Sequence, residues 1–299
     1  MRLCMDFISV NLKSQMQYKL SFFLTVTGQF IGAFTSWFGL VFVMQEVEAI
    51  DTFTSGQVSI CFAVIMLSFS IGEMIGAGFA VFARILGNGE FDRIMCRPGG
   101  ILLQVLAPHM DFTRIGLLLQ AVLIFAFAIP KCGISWTAEK AALLCLMVLS
   151  GSALFFGLFL LNATFCFFTV ENLQFLDIFT YGAREFGRYP FSVYGERALK
   201  FLTYVIPLAL VQYYPMLYLT DRETGIVYAI GPVLALLFLI PCFAFFITEF
   251  ININPPDHNQ NRKFEKFHFP GTFSPCRRSY RYSRQNQMSS FLEGRLTRR

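Results

Sequence analysis

The sequence predicts an all-α polytopic membrane protein with six transmembrane helices and both termini on the cytoplasmic side. Composition gives the first indication, since 55% of the 299 residues are hydrophobic, 14% are charged and the mean hydropathy is +0.56. The 37 phenylalanines add more apolar surface than a soluble domain of this length buries. Six long apolar runs and an uneven distribution of basic residues give the other two indications. Secreted, disordered and coiled-coil classes are excluded.

Each apolar run is close to the roughly 20 residues that a helix needs to cross a bilayer core, and none contains Lys or Arg. We assign the spans to residues 20–44, 58–83, 115–130, 141–170, 201–219 and 226–248. The third run is short, so its helix can begin several residues before Ile115. Pro207 and Pro215 in the fifth run, and Pro232 and Pro241 in the sixth, are expected to bend those helices.

The orientation follows from the basic residues of the connecting segments. With six spans, residues 1–19, 84–114 and 171–200 lie on the side of the termini and contain 11 Lys and Arg. The connections on the other side contain 3. Because basic segments stay in the cytoplasm, both termini and the two long polar loops are predicted to be cytoplasmic.

The two ends of the chain differ from the six-helix transmembrane domain of residues 20–250. In residues 1–19, the spacing of Leu3, Phe7 and Val10 suits a helix lying at the cytoplasmic interface. The alternative is a simple basic flank to the first span. Residues 251–299 are basic and rich in Asn, Pro, Arg and Ser, so we expect a disordered tail.

The net charge of +5 belongs to that tail. Residues 1–254 have 14 basic and 16 acidic side chains, whereas residues 255–299 have 10 and 3. Nucleic-acid binding by the whole chain is therefore not supported. The 8 cysteines are scattered and form no C-x-x-C pair, so neither a disulfide framework nor a zinc site is indicated.

Glu73 is the one ionisable residue that is clearly central within a predicted span. It lies among Gly72, Gly76 and Gly78, which allow neighbouring helices to approach closely. A buried carboxyl group there is either a structural hydrogen-bonding group or part of a transport path. Small residues from Gly28 to Gly32, and from Ser150 to Gly157, predict further packing faces, for bundle formation or for dimerisation.

Tyr213 and Tyr214 precede Pro215 and belong to a group of tyrosines around the last two spans. An interfacial aromatic belt explains the outer members of this group. The alternative makes Tyr213 and Tyr214 candidate residues of the translocation path, together with Glu73.

The loop after the second span predicts a short amphipathic helix. Asn88 is expected to cap its start, Glu90 and Asp92 suit its first turn, and Pro98 ends it. The apolar face contains Phe91, Ile94 and Met95, and the basic face contains Arg93 and Arg97. Such a helix either lies on the membrane surface or is gripped by a cytoplasmic partner, and the residues alone leave both open.

A second polar loop contains Arg184, Arg188, Tyr189 and Pro190. It also leads into the predicted fifth span, and we interpret it as an interfacial element or a docking surface on the cytoplasmic side.

The sequence lacks the common signatures of enzymes. It contains no H-E-x-x-H, no G-x-S-x-G, no pair of intramembrane aspartates and no G-x-x-x-x-G-K-[ST]. The chain is therefore not expected to be an enzyme, and any ATP would be bound by another chain.

Several short stretches, in this order, resemble the membrane subunits of type-2, exporter-like bacterial ABC transporters. They are residues 17–23, 89–93, 97–98, 188–194, 205–207 and 213–215. The resemblance covers about residues 7–250. It implies a six-helix permease of the bacterial cytoplasmic membrane, paired with an identical or related second permease and surrounded by lipid. It also implies a separate cytoplasmic ATPase that binds ATP and Mg²⁺, with no cofactor on this chain.

In such transporters the loop after the second span couples the permease to the ATPase. The resemblance therefore favours a docking role for Asn88, Glu90, Phe91, Asp92, Arg93, Met95, Arg97 and Pro98. One departure is the tail, because the resemblance implies a chain that ends soon after the sixth span. The tail is either a real extension attracted to anionic lipid or the product of a shifted reading frame.

Two other functions remain as alternatives. A proton- or cation-coupled secondary transporter or channel would use Glu73, but it would need a partner for that residue and has no evident use for two structured loops. A scaffold or assembly factor would carry no flux. The sequence does not name the substrate.

Overall fold

The computed structural model describes residues 2–46, 53–95, 101–169, 174–189, 191–223 and 225–253. These residues form helices joined by short connections, and no strand forms within the described ranges. The helices, in chain order, are α1 (Arg2–Gln15), α2 (Lys19–Glu46), α3 (Ser55–Ala80), α4 (Phe82–Gly87), α5 (Glu90–Met95), α6 (Ile101–Leu106), α7 (Ile115–Ala128), α8 (Ala138–Thr169), α9 (Gln174–Phe186), α10 (Gly195–Tyr204), α11 (Leu208–Val211), α12 (Tyr213–Leu219), α13 (Ile226–Leu236) and α14 (Leu239–Ile253).

Five helical segments in the described ranges are long and apolar enough to cross a membrane. They are Phe7–Met44, Ser55–Gly87, Phe112–Lys131, Ala138–Thr169 and Tyr228–Asn252. A sixth span is obtained if α10 and the α11–α12 segment are counted together. The predicted all-α membrane fold is therefore confirmed, and the third span does begin before Ile115.

The predicted fifth span is not one helix. Gly195–Tyr204 and Leu208–Leu219 meet at an angle of 86°. Pro207 lies at the break, where its ring leaves no backbone N–H for a helical hydrogen bond. The bend predicted at this proline is confirmed, and it is sharp enough to divide the predicted span of residues 201–219 between two helices.

The buried side chains form two clusters at opposite ends of the bundle. One, which we call the proximal cluster, surrounds the second half of α3 and includes Phe69, Phe79, Phe82, Phe155 and Phe159. The other, the distal cluster, surrounds the first half of α3 and includes Trp37, Leu40, Phe62, Ile124 and Leu219. Because α3 contributes to both, it is the central helix of the bundle.

Small residues bring α8 against α3, as the sequence predicted. A Cβ atom on Gly72 would lie 2.9 Å from Cβ of Phe155, and one on Gly151 would lie 2.5 Å from Oγ of Ser68. Gly28 and Gly32 on α2 behave differently, since an added Cβ would meet nothing within 4 Å in the described part of the chain. The small-residue face of α2 is therefore not used for packing within this bundle.

The first and last helices meet the same end of the bundle. Asn11 and Gln15 of α1 donate hydrogen bonds to the carbonyl oxygen of Met110, at 2.9 and 2.6 Å. At the end of α14, the ring of Phe250 lies 6.4 Å from that of Phe91 on α5. The helix predicted near the N-terminus is confirmed. From residue 254 onward, the predicted tail lies outside the described residues.

The opposite end of the bundle is tied by an ion pair between the first turn of α8 and the connection that follows α12. The Lys140 ammonium group lies 2.8 and 2.7 Å from the two carboxylate oxygens of Asp221. Lys140 is buried, and Asp221 has a φ of 56°. Because aspartate tolerates the left-handed region better than most residues, it suits this turn.

Candidate functional site

The helix predicted after the second span is present as α5, but its aromatic residue faces the bundle. The side chain of Phe91 is 4% exposed and belongs to the proximal cluster. Its ring lies 5.5 Å from Phe82, 5.8 Å from Phe167 and 6.4 Å from Phe250. The prediction that Phe91 forms an exposed tip for a partner is therefore wrong, because burial among three rings is where its apolar surface is most stable.

The start of α5 also differs from the prediction. Asn88 does not cap it, because this residue closes the preceding helix α4, with its backbone N–H donating to the carbonyl oxygen of Arg84. Gly89 follows with a φ of 68°, a conformation that costs glycine little. The chain therefore turns between α4 and α5 at Asn88 and Gly89, and both helices stay against the bundle.

The polar side of α5 remains accessible. Arg93 is exposed and Glu90 is partly buried. The other predicted members of this loop are not described in full, since the side chains of Asp92 and Met95, and the whole of Arg97 and Pro98, lie outside the described part. We therefore keep Arg93 as the exposed candidate for contact with a partner.

Glu73 has the partners that sequence reasoning did not supply. Its side chain is 3% exposed, and its Oε1 atom lies 3.0 Å from Nη2 of Arg114. The Tyr181 hydroxyl donates a hydrogen bond of 3.2 Å to the same oxygen. Arg114 also lies 3.2 Å from a carboxylate oxygen of Asp111. Glu73 is thus paired with one cation and one hydroxyl in the interior of the bundle.

This group of residues, which we call the Glu73 network, joins three separate parts of the chain. Glu73 is on α3, Asp111 and Arg114 precede α7, and Tyr181 is on α9. The backbone N–H of Asp111 also donates to the carbonyl oxygen of Met74. In the sequence, Arg114 lies at the boundary between a polar loop and the apolar run of the third span. That position is the one feature of the sequence that could have indicated Arg114 as a partner for Glu73.

The second polar loop forms α9, and this helix lies along α3 rather than beyond the end of the bundle. Near its start, Asp177 accepts a hydrogen bond of 3.1 Å from Asn162 of α8. Further on, the Arg184 guanidinium lies 4.7 Å from the Phe69 ring, and that of Arg188 lies 5.6 Å from the Phe62 ring. As the chain advances from Arg184 to Arg188, the contact moves back along α3 from Phe69 to Phe62. This segment therefore runs in the direction opposite to α3.

The depth of these contacts follows from helix geometry. At about 1.5 Å per residue, Phe69 lies roughly 21 Å and Phe62 roughly 10 Å from the start of α3 at Ser55. Arg184 and Arg188 therefore lie beside the middle and the first half of α3, which is a candidate membrane span. They do not project beyond the end of the bundle as the predicted loop implied, since a charged segment can fold back onto a bundle that supplies counter-charges, and the cytoplasmic position of this loop stays a prediction.

Arg184 of α9 and Arg188, just beyond its end, share one carboxylate. Arg184 lies 2.8 Å and Arg188 lies 2.5 Å from the Glu185 carboxylate. Tyr189 follows and packs against the distal cluster, so α9 reaches the other half of the bundle. Pro190 is outside the described residues.

Removing the four basic residues of 171–200 from the orientation count leaves seven against three. The predicted orientation therefore does not depend on them, and it stays a prediction.

Tyr213 and Tyr214 begin α12 and are partly buried. Their rings lie 5.6 Å apart, and Tyr214 lies 5.9 Å from Tyr228 of α13. The Tyr214 hydroxyl is 3.5 Å from that of Thr203 on α10. These contacts join α10, α12 and α13 around the break at Pro207, and the place of both tyrosines on a translocation path stays a prediction.

The described residues contain no group of three or more His, Cys, Asp or Glu side chains that could hold a metal ion. No curated protein and no solved structure matches the chain. A family model described as ABC-2 family transporter protein matches residues 30–248, which covers most of the chain and all of the bundle from the middle of α2 to near the end of α14. With its helical membrane-spanning architecture, the chain therefore belongs to the ABC-2 family and is a permease component of an ABC transporter.

Proposed function

We propose that this permease exports its substrate across the cytoplasmic membrane, driven by a separate ATPase subunit that contacts the segment around α5. A second permease subunit, identical or related, completes the transporter. The chain contains no phosphate-binding G-x-x-x-x-G-K-[ST] motif, which supports an ATP site on another chain.

The anchoring of α5 is the observation that carries this proposal. Phe91 fixes the helix to rings of α4, α8 and α14, while Arg93 stays exposed on the same short helix. A partner bound to Arg93 therefore pulls on three helices of the bundle at once. An element lying loosely on the membrane surface would not need an aromatic residue buried so deeply.

The unpacked small-residue face of α2 supports the second permease subunit. Gly28 and Gly32 leave space on a span whose remaining exposed surface is mostly apolar. Small residues spaced in this way allow two helices in a membrane to approach closely, and the described chain offers no helix of its own to that face.

The alternative, a proton- or cation-coupled transporter that uses Glu73, gains the partners that the sequence did not show, but the geometry of these partners favours a structural role. The Arg114 guanidinium gives the Glu73 carboxylate a fixed counter-charge, and Tyr181 donates to the same oxygen atom. A residue that must bind and release protons during transport would have to break these contacts in every cycle. The Glu73 network is better suited to holding α3, α7 and α9 together.

The test is purification of the tagged chain from its native membranes, followed by measurement of associated ATP hydrolysis and identification of the associated ATPase by mass spectrometry. We expect Arg93→Glu to insert normally and to lose most of the associated ATPase, because charged contacts at a small interface depend on the sign of the charge.

Lys13→Glu is the matched control, since it reverses an exposed basic residue on α1 at the same end of the bundle. It should retain the ATPase. If Arg93→Glu and Lys13→Glu retain equal amounts of ATPase at equal protein levels, α5 is not the docking element. If no ATPase accompanies even the unmodified chain, the ATP-driven function itself is wrong.

A further inference from the structure

The segment from α9 to α10 turns back within the bundle, and the position of α10 can be read from its ring contacts. Tyr194, just before α10, lies 5.3 Å from Phe186 at the end of α9. Phe201, in the last turns of α10, lies 6.4 Å from Phe179 on α9. Both ends of α10 therefore lie beside a helix that follows α3 through the membrane.

The helix that follows α10 gives the same depth. The side chains of Val211 and of Ser68, a residue in the middle of α3, lie side by side against Gly151. A Cβ atom on Gly151 would meet both of them. Thr203, near the end of α10, has its hydroxyl 3.5 Å from that of Tyr214, three residues beyond Val211. Since α10 meets the α11–α12 segment at 86° and Val211 of that segment lies beside Ser68, α10 lies at the level of the middle of α3, a candidate membrane span.

At this depth α9 and α10 expose four charged side chains, which we call the charged face. Glu185 is 47% exposed, Glu196 is 89% exposed and Lys200 is 72% exposed. Arg197 is also exposed. The closest described counter-charge for Lys200 is Glu196, at 3.7 Å, and this pair does not cover either side chain.

The exposed surfaces of the other candidate spans are mostly apolar. On α7 and around α13 they include Leu119, Val122, Leu123, Val233 and Leu237, each between 46% and 54% exposed. These side chains are compatible with lipid, and the charged face is not, because charged groups in contact with hydrocarbon are strongly unfavourable. The fold thus separates a lipid-compatible surface from one that requires water.

We propose that the charged face of Glu185, Glu196, Arg197 and Lys200 lines a water-filled cavity of the transporter, closed off from lipid by the second permease subunit. The face has two acidic and two basic side chains, so it repels neither sign of charge. The substrate that passes it therefore has a polar or zwitterionic group rather than an entirely apolar surface. This inference rests on the proposed function, since it uses the second permease subunit as the opposite wall.

The test is the reactivity of single introduced thiols toward a small, negatively charged, membrane-impermeant methanethiosulfonate. The background replaces Cys4, Cys96, Cys145 and Cys276 with Ser and keeps the buried cysteines Cys61, Cys132, Cys166 and Cys242. The whole complex, purified with its partners and placed in lipid nanodiscs, is labelled. The variants are Arg197→Cys and Lys200→Cys, with Leu123→Cys and Leu237→Cys as lipid-facing controls.

We expect the thiols at 197 and 200 to react at least about tenfold faster than the two controls, because the reactive thiolate forms in water and not in hydrocarbon. Rates no faster than those of Leu123→Cys would overturn the proposal. A 5 kDa maleimide gives the second measurement, with the exposed Arg93→Cys as its reference. It should react slowly in the cavity, and equal rates at positions 200 and 93 would place the charged face on the open surface.

The same preparation separates the two proposals. If the thiols react as expected but no ATPase is present in the complex, the proposed function fails and the water-filled surface stands. If the ATPase is present and the thiols at 197 and 200 are inert, the cavity fails and the proposed function stands.

Discussion

Two groups of charged residues lie within the bundle, and the fold treats them in opposite ways. The Glu73 network is closed, with a carboxylate that is 3% exposed and bound to Arg114 and Tyr181. The charged face of α9–α10 is open, with side chains up to 89% exposed; its Glu196–Lys200 pair is 3.7 Å long, and Glu185 stays 47% exposed although it pairs with Arg184 and Arg188. The comparison teaches that charged residues within this bundle have two environments, one that joins helices and one that we propose borders water.

The largest expected loss of stability comes from removing the Glu73 carboxylate from its network. Glu73→Ala leaves the Arg114 guanidinium and the Tyr181 hydroxyl without their common acceptor. Breaking one partner out of a buried ion pair costs about 3 to 5 kcal/mol, and since Arg114 is 25% exposed we expect about 3 kcal/mol. The free energy of unfolding in detergent or nanodiscs measures this. If the Glu73→Ala protein were as stable as the Glu196→Ala protein, the contrast between a buried, paired carboxylate and an exposed one would be wrong.

A buried apolar side chain provides a reference for that value. Phe91→Ala removes a ring that is 4% exposed without changing any charge, and losses for phenylalanine in cores run from about 3 kcal/mol upward. At this entrance to the bundle, where the neighbouring rings can close in, we expect a loss of about 3 kcal/mol. A selective loss of the ATPase at unchanged stability would instead favour an exposed Phe91.

A milder change sharpens the role of the carboxylate. Glu73→Gln keeps an acceptor for Tyr181 and Arg114 but removes the charge, so the loss is that of a charge-assisted hydrogen bond, about 2 kcal/mol. ATP hydrolysis by the purified complex should survive at equal protein levels. Loss of function at normal membrane levels, with activity that follows a proton gradient, would favour the proton-coupled alternative.

Removing only the hydroxyl from the closed group should have a smaller effect. Tyr181→Phe keeps the ring contacts with Phe69 and Phe159 and deletes one hydrogen bond to Glu73, which we expect to lower stability by about 1 kcal/mol. Tyr218→Phe serves as the control, because it deletes a tyrosine hydroxyl elsewhere in the fold. Equal stability of the two variants would exclude Tyr181 from the network.

The open group gives the smallest expected change in stability. Lys200→Ala removes the 3.7 Å contact with Glu196, a pair in which both side chains are largely exposed. Pairs of this kind are worth below about 0.5 kcal/mol. A loss as large as that of Glu73→Ala would show that Lys200 is buried by a partner in the assembled transporter rather than bordering water.

The sequence predicted the spans well and the faces of the short helices poorly. A run of apolar residues is visible in one dimension, as is the break at Pro207, so five spans and a bent pair are recovered. The six-residue helix α5 has one apolar and one basic side, and nothing in its sequence says which side meets the bundle. Phe91 was therefore predicted on a docking surface when it lies in the core.

The candidate residues at bilayer depth were predictable only in part. Glu73 stands out because an acidic residue in an apolar run is rare, but its partners Arg114 and Tyr181 are 41 and 108 residues away along the chain. Arg184 and Arg188 lie in a polar stretch that hydropathy assigns to the cytoplasm. Their position beside Phe69 and Phe62 depends on the packing of α9 against α3, and sequence patterns carry no distances of that kind.

The sequence by itself determined that the chain crosses a membrane, where most of its spans lie and, through short stretches in order, that it resembles an ABC permease. These properties depend on local composition, because a bilayer requires contiguous apolar residues whatever surrounds them. Only the tertiary structure decided that Phe91 anchors α5, that Glu73 is paired, and that the charged segment containing α9 folds back along α3. Those outcomes depend on which distant helices pack together, and a charged residue becomes tolerable inside a membrane only when the fold provides a partner or water.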